Sequence, residues 1–202
     1  MYSESTFAHN PTRVHAARGF RLSGCVVTIG AFDGVHLGHQ QLVQAMVASA
    51  RRQGLPAVIY TFDPLPKVFF GRARALISLE QRIGRLGALE PDHIVVAAFD
   101  DACRRRTAME FIAELGTLNP RLIWLGEDFR FGAGQVGDVG LLTRYFAVRT
   151  LGRVQCDGGR VISSSLILRL LEGGDLSAAE ALQGWHGLEL DGAAALVGGG
   201  CV

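Results

Sequence analysis

The segment Cys25-Val26-Val27-Thr28-Ile29-Gly30 does not alternate between apolar and polar residues. A strand with one wet face must alternate, because successive side chains point to opposite sides of a sheet. A run that is apolar or β-branched at every step belongs to a strand covered on both faces, and such strands occur in parallel sheets flanked by helices. The same texture recurs at residues 57–62, 93–99 and 121–125, and a further strand is expected within 146–154. Helical patterns lie between these runs. In residues 37–52, Leu42, Val43, Met46, Val47 and Ala50 fall on one face, and Gly54 stops the helix. Residues 80–89, 107–118, 137–145, 163–171 and 176–182 also read as helices. Thr107 and Glu110 are spaced as a capping box, and Asp175 caps the last helix. Strands alternating with helices predict an α/β fold: a Rossmann-like doubly wound parallel sheet of about five strands.

The length of 202 residues suits one domain. Residues 1–22 read as a polar N-terminal arm, 23–184 as the folded domain and 185–202 as a tail. A net charge of +1 supplies no general field for nucleic acid or a membrane, so neither is expected as a partner. The basic run Arg104-Arg105-Arg106 reads as a solvated turn, Arg82 and Arg85 as surface positions, Trp124 as core and His93 as a strand entry. Cys25, Cys103, Cys156 and Cys201 are scattered, which predicts reduced thiols. The first twenty residues lack an apolar core of a signal peptide, and the longest apolar run is too short to span a bilayer. A cytoplasmic location is the expectation.

In a doubly wound sheet, ligands sit beyond the carboxyl ends of the strands. Three loops meet that condition. The first is Gly30-Ala31-Phe32-Asp33-Gly34-Val35-His36-Leu37-Gly38-His39, a strand end, a glycine-rich turn and a helix start. Free N–H groups at a helix start suit phosphate, and two imidazoles across a glycine can face one phosphate chain. A turn carrying two surface histidines is the plainer alternative, and a zinc site lacks a third ligand nearby. The second loop, Thr61-Phe62-Asp63-Pro64-Leu65-Pro66, is stiffened by two prolines. The third, Gly126-Glu127-Asp128-Phe129-Arg130-Phe131-Gly132, interleaves rings and charges as a platform for a flat heterocycle would. A fourth stretch, Gly159-Arg160-Val161-Ile162-Ser163-Ser164-Ser165-Leu166-Ile167-Leu168-Arg169, places hydroxyls at a helix start, where they can cap the helix or donate to phosphate.

These motifs together resemble the FAD synthetases, bacterial bifunctional riboflavin kinase/FMN adenylyltransferases of the nucleotidyltransferase superfamily. The long form G-x-F-D-G-V-H-x-G-H resembles that family specifically, and Glu172-Gly173-Gly174-Asp175 with residues 179–184 resembles the end of its transferase domain. The resemblance implies transfer of AMP from ATP to FMN. It implies catalytic roles for His36, His39 and Ser164. ATP would bind at Gly30, Phe32, Asp33, Gly34, His36, Gly38, His39, Asp128, Ser163, Ser164 and Arg169. FMN would bind at Phe62, Asp63, Pro64, Pro66, Phe129 and Arg130, and Mg²⁺ would arrive with ATP rather than on protein ligands. The chain departs from the family pattern at Leu65, where many members carry His, and at Leu168, where the family carries a phosphate-binding Arg. Arg169 lies about 100° further round the helix. These departures keep open a member that binds nucleotide or flavin with little turnover, or one with a changed acceptor. The G-[FY]-P-T-A-N motif of the kinase has no match, so riboflavin phosphorylation is not expected of this chain.

Overall fold

The computed structural model describes residues 11–185. The chain opens with β1 (Arg13–Ala16), β2 (Cys25–Ile29), α1 (Leu37–Gln53) and β3 (Ala57–Asp63). It continues through α2 (Pro66–Phe69), α3 (Leu79–Gly87), β4 (His93–Ala98), α4 (Asp101–Arg105), α5 (Ala108–Gly116) and β5 (Pro120–Gly126). A small antiparallel pair, β6 (Arg130–Phe131) with β7 (Gly137–Asp138), precedes α6 (Val139–Leu142), β8 (Val148–Leu151), α7 (Ser164–Glu172) and α8 (Leu176–Gln183). The main sheet has six parallel strands in the order β1-β4-β3-β2-β5-β8. The chain winds outward from β2 through β3 and β4, then returns to β5 on the other side of β2. A crevice opens at such a reversal, beyond the carboxyl ends of the strands.

Both faces of the sheet are covered, as the unbroken apolar runs require. Val27, Tyr60 and Ile123 face α5 through Phe111, Ile112 and Leu115. Val26, Ile59 and Ile94 point the other way, onto Val43 and Met46 of α1 and Leu86 of α3. Met46, Leu86 and Leu115 have no exposed surface, and burying one such side chain contributes about 1.5–3 kcal/mol. Trp124 is packed against the second of these cores and its indole N–H donates to Ser49 Oγ at 3.0 Å. A smaller cluster of Ile162, Leu166, Ile167, Ala179 and Leu182 ties α7 to α8.

Three readings of the sequence change. Residues 13–16, taken as part of an arm, form the sixth strand, held to β4 from Arg13 N–H to Asp92 O at 3.0 Å and from Ala17 N–H to Val96 O at 3.0 Å. The strand is a short polar edge, so it lacks the apolar run that marks the others. The helix expected over 137–145 is shorter, because Gly137 and Asp138 pair with β6 and the Asp138 carboxylate then caps α6, accepting from Leu141 N–H at 2.8 Å. Trp185, placed in the tail, belongs to the body: its indole donates to Val35 O at 2.8 Å and packs on the second core. The rest of the tail and residues 1–10 lie outside the described residues.

Candidate active site

The loop after β2 is held in an unusual backbone path. Phe32 and Val35 adopt φ values of 50° and 47°, and Gly34 lies between them at φ 77°. Non-glycine residues in the left-handed region cost on the order of 1–3 kcal/mol each, so the surroundings must fix them. They do so from several sides. Phe32 is wholly buried, Arg85 Nη1 donates to Gly34 O at 2.9 Å, and Gln40 Nε2 and the Trp185 indole both donate to Val35 O. A Cβ on Gly34 would stand 2.9 Å from Leu76 Cδ1, so this position needs glycine both for its φ and for its space. Gly30, Phe32 and Gly34, expected as nucleotide contacts, do not border the cleft described below. They shape the loop that presents their neighbours.

What the loop presents is a pair of imidazoles. His36 occupies the cap position of α1, and its ring stacks on that of His39 with centroids 3.6 Å apart and planes 18° from parallel. Nδ1 of each ring is buried and has no hydrogen-bond partner among the described residues. Burial pushes His36 down to about 4; the nearby Asp33 carboxylate opposes this in part and the Lys67 ammonium adds to it. His39 is held well below its ordinary range by burial first, then by His36 and Lys67. Both rings are therefore neutral near pH 7 in the free protein, and each offers one N–H rather than a full positive charge.

Asp33 organises the floor beneath them. Its carboxylate is almost wholly buried; Oδ1 accepts from Leu76 N–H at 2.9 Å and Oδ2 faces the Lys67 ammonium as an ion pair. Its backbone carbonyl accepts from Ser164 Oγ at 2.9 Å, which fastens the start of α7 to the loop. Ser164 borders the cleft as expected, but its one hydroxyl hydrogen is committed to Asp33, so it serves as a fastener rather than a free donor. Ser163 caps α7, accepting from Leu166 N–H at 3.2 Å, and its own hydroxyl hydrogen remains available to a ligand.

These groups enclose a cleft of about 700 Å³ at the β2–β5 reversal. Asp33, His36, Gly38 and His39 form one wall; Asp128 and the loop after β8 form another; Ser163, Ser164 and Arg169 close it from α7. Arg169 borders the cleft and Leu168 does not, so the α7 surface presents its arginine one position later than the family pattern does. Arg153 and Arg160 add two more cations, and Arg153 lies 3.4 Å from an Asp128 carboxylate oxygen and 3.6 Å from one of Glu127. Among the described residues no three His, Cys, Asp or Glu side chains are grouped to hold a metal ion.

A second cavity of about 730 Å³ opens on the other side of the loop after β3. Phe62, Pro66, Phe129 and Arg130 border it as expected, joined by Phe99 and Phe131. Phe129 and Phe131 stack with centroids 5.8 Å apart. Asp63 and Pro64 do not border this cavity: Asp63 turns to Arg82 at 3.4 Å, and Pro64 follows a cis peptide bond on the exposed side of the loop. Gly132, at φ 74°, lies so close to α5 that a Cβ would stand 2.7 Å from Ala108 N. Arg104, Arg105 and Arg106, read as a solvated turn, lie at the end of α4 and border the cavity; Arg104 and Arg105 are exposed, as expected. The Arg106 guanidinium pairs with Glu114, which also accepts from the Tyr60 hydroxyl.

Arg82 and Arg85, read as surface residues, are 2% and 5% exposed. Arg82 Nη2 donates to Phe62 O at 2.8 Å and Nη1 to Ala31 O at 3.3 Å, so one guanidinium bridges the loop after β2 and the end of β3. Lys67 and Arg153 are charged cleft residues that the motifs did not single out, whereas Arg160 lies within the fourth stretch. Lys67 directly follows the second proline of a recognised loop, so proximity to a motif was the available signal for it.

Comparison with known proteins agrees with this geometry. The profile of the family described as FAD synthetase matches residues 20–166. A Geobacillus thermodenitrificans protein, provisionally named a bifunctional riboflavin kinase/FMN adenylyltransferase, is 44% identical over 174 residues, covering 86% of this chain and 97% of its own. The bifunctional riboflavin kinase/FMN adenylyltransferase of Escherichia coli K12 is 36% identical over 170 residues; the match covers 80% of this chain and 54% of that protein, about half its length. A crystal structure from Streptococcus pneumoniae, described as a macrolide-efflux protein, superposes with a TM-score of 0.76 at 27% identity, over 86% of this chain and 61% of that one. In this chain no helix among the described residues is long and apolar enough to cross a membrane. With the motif loops, the parallel sheet and the paired cavities in place, the chain belongs to the FAD synthetase family.

Proposed function

We propose that this domain is an FMN adenylyltransferase, which transfers AMP from ATP to FMN and releases pyrophosphate. The observation that carries the reading is the pairing of two cavities across one short loop: a polar, cation-lined cleft and an aromatic-lined cavity separated by residues 62–67. ATP lies in the first, with its phosphates against His36, His39, the start of α7 and Arg169. The isoalloxazine lies in the second among Phe62, Phe99 and Phe129, with its phosphate reaching the junction. A phosphate oxygen of FMN attacks the α-phosphorus of ATP. The new O–P bond forms as the bond to the β-phosphate oxygen breaks, and pyrophosphate departs with that electron pair. No protein nucleophile is required, so the work of the site is positioning and charge stabilisation.

The neutral imidazoles donate one hydrogen bond each to phosphate oxygens. The rings hold each other by stacking, so they need little reorganisation as charge moves to the leaving group. Asp33 is committed to Leu76 and Lys67. Magnesium would arrive with the ATP phosphates, whose charge it would neutralise. The reading carries a cytoplasmic location with it, in keeping with the free thiols Cys25, Cys103 and Cys156.

The test is an end-point assay with purified protein, FMN, ATP and Mg²⁺, and FAD resolved by chromatography. FAD is expected with the native protein and lost with His36→Ala. Absence of FAD at high protein concentration, with ATP or flavin still bound in calorimetry, would sink the reading.

A further inference from the structure

We infer that Lys67 is a catalytic residue of this transferase, its ammonium contacting phosphate oxygens where the two cavities meet. The inference rests on the adenylyltransferase reading and adds a group that the family motifs do not contain.

Placement is the first argument. Pro66 borders the aromatic cavity, and the next residue, Lys67, borders the phosphate cleft. The chain passes between the cavities here, so the lysine stands at the point an FMN phosphate must reach to attack ATP. The second argument is charge. On the wall built from the loop after β2 and from α2, the residues bordering the cleft are Ala31, Asp33, His36, Gly38, His39 and Lys67, together with Leu42 of α1. Both imidazoles are neutral in the free protein, so Lys67 supplies the fixed positive charge on that side. Arg153, Arg160 and Arg169 reach the cleft from the loop after β8 and from α7. Cations beside the reacting phosphorus stabilise the charge brought together there, and Lys67 is the cation of this wall.

The third argument is how the ammonium is held. Its partner, Asp33 Oδ2, has no hydrogen-bonding group other than this ammonium, and the carboxylate is fixed through Oδ1 by the backbone of Leu76. The Asp33 side chain is 2% exposed and the Lys67 side chain 25%. A buried, anchored anion thus holds a partly open cation, whose remaining donors face the cleft. In the reaction the ammonium donates to oxygens of the α-phosphate as the FMN oxygen bonds to phosphorus and the β-phosphate oxygen leaves. No proton need be transferred, and the lysine ends the cycle as it began, paired with Asp33.

The experiment compares native protein, K67M and the double variant K67M/D33N by steady-state FAD formation, with unfolding curves for each. Removing one fixed donor to transition-state charge lowers kcat by roughly 100-fold or more. K67M alone strands the buried Asp33 carboxylate and is expected to lower stability; the double variant removes both charges and is expected to recover stability but not kcat. If the native protein makes FAD and K67M loses less than tenfold in kcat, the inference falls while the adenylyltransferase reading stands. Recovery of kcat in K67M/D33N would also overturn it, because Lys67 would then serve only to neutralise Asp33. If the native protein makes no FAD, the reading itself falls and the inference with it.

Discussion

Acid should weaken this fold through its buried imidazoles, and for His36 the size of the contribution follows from burial. His36 ordinarily titrates at 6.5 and is pushed down to about 4 in the folded protein, chiefly by burial. The sign is fixed by where the proton goes. Above pH 6.5 neither the folded nor the unfolded chain protonates this ring, and its contribution is flat. Below 6.5 the unfolded chain takes up a proton that the folded chain refuses, so stability falls until the pH reaches about 4. Each pH unit in that window is worth about 1.4 kcal/mol. Because the unfolded ring is only half protonated at pH 6.5, the native protein should lose roughly 1.5 kcal/mol between pH 6.5 and 5.0 that a His36→Gln variant keeps. Urea unfolding followed by circular dichroism at half-unit pH steps reads the difference in slope, whatever constant offset the substitution brings. Parallel slopes for the two proteins would refute the argument. So would an imidazole resonance of His36 with a midpoint near its ordinary value. Nucleotide binding should act in the opposite direction, since phosphate beside the ring favours the imidazolium; ATP binding below pH 6 is then accompanied by proton uptake, measurable as a buffer-dependent heat.

Arg82→Met removes the guanidinium bridge between Ala31 O, which keeps Thr61 Oγ1 as a donor, and Phe62 O, and should cost about 1.5–3 kcal/mol, read as a fall in Tm of roughly 3–12 °C for a chain of this size; an unchanged Tm would contradict the bridging role. Gly34→Ala combines an unfavourable φ with a close contact to Leu76 and should lower stability by roughly 2–3 kcal/mol in the same assay. Arg169→Leu should raise the KM for ATP about tenfold, whereas Leu168→Arg should leave it within threefold; a large gain from Leu168→Arg would mean that Arg169 does not fill the family's position. Phe62→Ala should weaken FMN about three- to tenfold through lost ring contact, visible in flavin fluorescence titration, with no change in ATP binding.

Much of the frame was legible because its signals are local. Strand texture, the stop at Gly54, the capping box at Thr107 and Glu110 and the caps at Ser163 and Asp175 all depend on a few neighbouring residues, and all are present. The strand at 13–16 was not legible, because an edge strand of four mostly exposed residues has no core to announce it. Arg82 and Arg85 failed for a different reason. Their hydrogen-bond partners lie 19 to 98 residues away, and a charged residue in a helical pattern reads as solvated unless those partners are known. The spacing of Arg82 to Leu86, one helical turn, was the available hint that Arg82 shares the buried face. At the site, the motifs located the walls but not each residue's duty. Phe32 and Gly34 turned out to shape the loop, and Ser164 to fasten it, because hydrogen-bond commitments such as Ser164 to Asp33 cross 131 residues.

Arg82 grips Ala31 and Phe62 by their main-chain oxygens, a handle that every amino acid carries. Side chains on the two loops can therefore be exchanged without loosening the fastening between them. In such an arrangement the scaffold and the vocabulary of recognition are largely separable: a lineage can rewrite what the second cavity accepts, Asp63 aside, while the distance between the two cavities stays set by an arginine that holds both segments by their main chain.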